Sequence, residues 1–133
     1  MRPFQVFLRI VACVIFMVGG LHLTLGLGAE VLLGAIVPLE AINDPALDSQ
    51  NRFYGVAFTL YGVLLILCAS DVLKYASVLR CVVWVFFAAG AARFVSVAIH
   101  GMAPPLVLLL MGSELIAPLL LLWLAKVERQ ARI

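Results

Sequence analysis

The sequence predicts an all-α fold, an integral membrane four-helix bundle, and three observations carry that prediction. Hydrophobic residues make up 65% of the chain and charged ones 12%, against roughly 45–50% and about 25% in soluble domains. Mean hydropathy is +1.19. The apolar residues also fall into four stretches near the roughly 20 residues that a helix needs to cross a bilayer. With 133 residues there is room for about four spans and short connections, so 1–133 reads as a single four-span transmembrane domain.

The first span is expected at about 4–28, broken only by Gln5, Arg9, His22 and Thr24. A secretory signal peptide is the competing reading, but the run is too long for an ordinary h-region and Arg9 lies inside it, so a retained span is expected. VLLGAIVPLE, residues 31–40, is apolar and too short to cross, so it is expected as a short interfacial segment. AINDPALDSQ concentrates Asn, Asp and Pro and reads as a loop. Asp48 or Ser49 is then the expected cap of a second span over 51–68. DVLKYAS turns the chain into a third span, 78–99. HGMAPP ends it, since two adjacent prolines favour a helix start, and the fourth span is expected at 105–124, followed by the polar tail KVERQARI.

Charge placement sets the expected orientation. Arg2, Arg9, Lys74, Arg80, Lys126, Arg129 and Arg132 all fall at one end of the spans, while the first connection carries Glu30, Glu40, Asp44 and Asp48. By the positive-inside rule both termini are expected in the cytoplasm, with Trp84 and Trp123 in an inner interfacial belt. The small net charge of +2 and the lack of a basic run with interleaved aromatics exclude nucleic acid as a partner. Cys13, Cys68 and Cys81 lie in apolar segments without metal-ligand or redox spacing, and they read as packing residues. No metal site and no cofactor motif is visible.

The polar residues inside the spans gather toward one side. Arg93 lies about 9 Å from the outer end of span three and Glu114 about 13 Å from the outer end of span four, at about 1.5 Å per residue. The short connection between these spans makes them antiparallel neighbours. An unpaired charge at that depth costs roughly 2.5–3.5 kcal/mol on insertion scales, so Arg93 and Glu114 are expected to pair. Whether the carboxyl is ionised is left open, as is whether the pair only fixes helix packing. Tyr54, Phe58 and Tyr61 share one face at i, i+4, i+7, and Arg93, Ser96 and His100 share another at i, i+3, i+7. His22 sits about 9 Å from the outer end of span one.

All four spans therefore offer a polar group to the outer half, whereas the inner half is nearly pure Leu, Val, Ala and Phe. Pro118 denies the Glu114 carbonyl its usual N–H partner, which predicts a kink with a free acceptor. Gly19, Gly20, Gly55, Gly62 and Gly90 are expected to let helices approach closely. Arg52 can snorkel to the outer headgroups. The candidate ligand-binding residues are Asn51, Arg52, Tyr54, Tyr61, Arg93, Ser96, Glu114, His22 and His100.

NRFYG at 51–55, ARFVS at 92–96, the GMAPP turn and the SEL of span four together resemble a domain-of-unknown-function family of small four-span bacterial inner-membrane proteins. That family is more distantly similar in layout to DoxX-like proteins. The resemblance covers nearly the whole chain and implies a multi-pass location in the bacterial inner (plasma) membrane. It makes Asn51, Arg52, Tyr54, Arg93, Ser96 and Glu114 the motif positions here. It implies no particular reaction.

Three function classes fit these residues. The first is a binding or accessory protein whose outward-facing polar pocket holds a lipid, quinone or other amphiphile, alone or as a subunit of a homo-oligomer or larger membrane complex. The second is a membrane-embedded enzyme of isomerase or cyclase type, with Glu114 as general acid or base, although no nucleophile with an adjacent base is visible. The third is a small four-span transporter, which would need polar residues in the inner half as well.

Overall fold

A computed structural model describes residues 1–131; Arg132, counted above among the orienting charges, lies outside them. The described chain forms α1 (Arg2–Leu25), α2 (Gly28–Leu32), α3 (Leu39–Ile42), α4 (Pro45–Ser70), α5 (Ala76–His100), α6 (Pro105–Ile116) and α7 (Leu119–Ala131). Helices α1, α4 and α5 and the α6–α7 run are each long and apolar enough to cross a membrane. They are the four expected spans, with different ends.

Helix α4 begins well before residue 51. Its cap is Asp44, not Asp48 or Ser49: the Asp44 carboxylate accepts hydrogen bonds from the N–H groups of Ala46 at 2.8 Å and Leu47 at 3.0 Å. Pro45 takes the first helical position, where a missing N–H costs nothing. The Asn, Asp and Pro that read as a loop are thus a helix-start signal. The stretch 31–40 is not one segment: it takes in the end of the short helix α2 and the start of the short helix α3, and residues 33–38 between them are not helical. Gly26, at φ +54°, ends α1 and turns the chain back so that α2 packs on α1. A side chain there would collide with the Asp48 carboxylate.

The fourth span breaks at Pro118, as its chemistry requires. The Glu114 carbonyl is not left free, however. It accepts from the Ala117 N–H at 3.2 Å, and Leu120 and Leu121 donate to Ala117 and Pro118. These three-residue closures tighten the backbone into a 3₁₀-like turn that reclaims the orphaned acceptor.

The four spans pack as two hairpins. Helix α1 lies along α4, and α6 lies along α5; α5 also meets α4 and α7. Small residues set the first contact: a Cβ at Gly55 would lie 2.8 Å from the Leu23 nitrogen, and one at Gly19 would lie 3.0 Å from the Gly55 carbonyl oxygen. Such backbone approach replaces the hydrophobic drive that is lost in lipid. Gly20 does not share this role, because it faces open space.

The buried core sits at the end of the bundle where α1 begins and α7 ends. Phe4, Leu8, Leu65, Leu79, Val83 and Leu124 close it, and Trp123 packs there against Phe4 with ring centroids 4.9 Å apart. Trp84 is more than half exposed. Arg80 donates to Glu128 at 2.6 Å, tying α5 to α7. Toward the opposite, far end the two hairpins part.

Candidate binding cavity

The space between the hairpins is a cavity of about 770 Å³, within the range of about 300–1,000 Å³ typical of small-molecule sites. Its floor, near the terminal end, is Phe7, Leu8, Leu79 and Trp123. Its polar lining is confined to His22, Glu30, Tyr54, Tyr61, Arg93, Ser113 and Glu114. Ile116 and Leu119 line it at mid-span while each is 61% exposed. The cavity therefore opens sideways, through the apolar flank of the bundle.

On the wall made by α5 and α6, Arg93 Nε donates to Glu114 Oε2 at 2.9 Å. Gly90 makes that possible. It lies one helical turn before Arg93, and a Cβ there would stand 2.8 Å from Glu114 Cβ and 3.0 Å from the Leu115 nitrogen. Only a glycine lets α6 come close enough for the carboxylate to meet a guanidinium one turn along α5. Arg93 is one-third exposed, whereas Glu114 is largely covered.

The opposite wall, made by α1, α2 and α4, carries a second cluster. His22 is buried, with Nδ1 2.8 Å from the Val18 carbonyl and Nε2 3.4 Å from Glu30 Oε1. Asn51 Nδ2 donates to the same Glu30 oxygen at 3.5 Å. Tyr54, Phe58 and Tyr61 run down α4 beside it, on the single face that their spacing predicted.

Of the nine residues singled out in the sequence, the cavity gathers His22, Tyr54, Tyr61, Arg93 and Glu114. Asn51 stands just behind the wall, buried against Glu30. Arg52 turns away: it donates to Asp48 at 2.8 Å and to the Leu23 carbonyl at 2.6 Å, capping the end of α1. Ser96 and His100 are exposed and do not line the cavity. The sequence reading missed Glu30 as a lining residue, having used it only as an orienting charge. The available signal was the glycine-rich GLGA between His22 and Glu30, a stretch able to reverse the chain. Ser113 was also missed as a lining residue, although it belongs to the SEL motif.

Four apolar spans enclosing a cavity define a small multi-pass, all-α membrane protein. Within that class the chain belongs to the family described as a domain of unknown function, DUF4345, whose model matches residues 3–125. The match runs through all four spans. No curated protein and no solved structure matches the chain.

Proposed function

We propose that this protein is a membrane-embedded binding protein that takes an amphiphile into the cavity between its two hairpins. The observation that carries the reading is the cavity's gradient. Aliphatic and aromatic side chains line its floor and body, and its charged side chains, Glu30, Arg93 and Glu114, stand toward its far end. A long apolar chain with one polar head has that same distribution. Lateral opening past Ile116 and Leu119 gives such a molecule a route from the bilayer. The polar groups would then fix the head's position, as in other small-molecule sites. The far end faces away from the cytoplasm in this reading, with both termini on the cytoplasmic side of a bacterial plasma membrane, as the distribution of Lys and Arg favours.

The test is native mass spectrometry with lipid extraction on protein purified in mild detergent, comparing wild type with Leu110→Trp. Leu110 lines the cavity from α6, and an indole there would fill part of the space. A bound species of defined mass in wild type and its loss from a folded Leu110→Trp variant is the expected result. A wild-type protein that carries nothing beyond loosely held bulk lipid would refute the reading.

A further inference from the structure

Resting on that reading, we infer that the head of the bound amphiphile is uncharged and hydroxylated, because each charged side chain in the cavity lining is already engaged by a partner in its own wall. On one wall Arg93 Nε donates to Glu114 Oε2 at 2.9 Å. On the other, two nitrogens hold one Glu30 oxygen: His22 Nε2 lies 3.4 Å from Glu30 Oε1, and Asn51 Nδ2 donates to it at 3.5 Å. His22 Nδ1 donates to the Val18 carbonyl at 2.8 Å, which can only accept.

No spare charge remains for an ionic head. Arg52, the other arginine of the far half, is engaged by Asp48 and the end of α1, outside the cavity. An anionic head would compete with Glu114 for Arg93 while facing the Glu30 side. A cationic head would compete with Arg93 for Glu114. A hydroxyl disturbs neither pair. Glu114 uses Oε2 toward Arg93 and keeps Oε1 as an acceptor; Arg93 uses Nε and keeps its terminal nitrogens as donors. Tyr61 also lines the cavity. A head that both donates and accepts is what these groups satisfy together.

The experiment measures binding of three probes with the same oleyl-type chain, monoolein, oleate and oleylamine, to detergent-purified full-length protein by native mass spectrometry. Folding is checked by circular dichroism. Monoolein is expected to bind at one copy per chain and at least about tenfold more tightly than either ion. The decisive variants change the sign of the cavity. Glu114→Gln leaves Arg93 unbalanced and is expected to raise oleate binding by about tenfold relative to monoolein; Arg93→Gln is expected to raise oleylamine binding instead. A pair that served packing alone would not reverse the preference between ions. If oleate or oleylamine binds wild type as well as monoolein, the head-group inference falls while the cavity reading stands. If none of the three binds folded wild type, the cavity reading itself fails. Should either variant not fold, the wild-type ranking and the other variant decide.

Discussion

Arg93 sits where an unpaired guanidinium costs roughly 2.5–3.5 kcal/mol on insertion scales, and its 2.9 Å contact with Glu114 answers that cost. Breaking such a pair from one side is worse than removing both charges. Because Arg93 is one-third exposed, solvent and lipid headgroups temper the effect, so Arg93→Met or Glu114→Leu alone should each lose about 1–2 kcal/mol. The double variant Arg93→Met, Glu114→Leu should recover much of that loss, and thermal unfolding of all four proteins in one detergent, treated as a double-mutant cycle, checks it. Two singles that add without recovery would mean that each side chain acts through other contacts. This pair was readable from sequence, since a short connection forces adjacency and charge at depth demands a partner. The His22–Glu30 pair was not. Glu30 follows a turn whose direction depends on Gly26 at φ +54°, and no periodicity links residues eight apart across a reversal.

Two element-scale predictions rest on the helix ends and the close helix contacts. Asp44 satisfies two otherwise unpaired N–H groups of α4, so Asp44→Ala should cost about 1 kcal/mol, measurable as a fall in unfolding temperature. Replacing Gly90 tests a different contact. A valine there would place its branch against Glu114 Cβ and the Leu115 backbone, pushing α6 off α5 and lengthening the ion pair. Gly90→Val should therefore lose at least about 1 kcal/mol and also lose the selectivity between ionic and neutral probes, whereas Gly20→Val, at a position facing open space, should change neither. Helix existence was legible in all four spans because runs of about 20 apolar residues have few alternatives. Helix starts were less so. Asp44, Asp48 and Ser49 are all competent caps, and Pro45 at the first helical position decides between them. The role of Pro118 was half legible: the break follows from its missing N–H, but its repair by Ala117 depends on local backbone geometry.

At the scale of the whole molecule, four membrane crossings place the two termini on one side and the α2–α3 connection on the other. Alkaline phosphatase fused after Asp44 should be active in a bacterial host, and fusion after Asp71 should be inactive, as the proposed orientation predicts; the reverse pattern would invert it. The bundle is closed at its terminal end by Phe4, Leu8 and Leu124, which are at most 1% exposed, and open at the other. Residue pattern alone determined the membrane class, the number of spans, the expected orientation and the depth of Arg93 and Glu114, because each follows from how many apolar residues stand in a row and where charges interrupt them. The tertiary structure decided that the spans pair as two hairpins, that the hairpins part to form a cavity, and that Glu30 faces it while Arg52 does not. Those outcomes rest on small residues at Gly19, Gly55 and Gly90, on a backbone turn at Gly26 and on hydrogen bonds to helix ends. They are relations in space between residues far apart in the chain, and the order of residues does not state them.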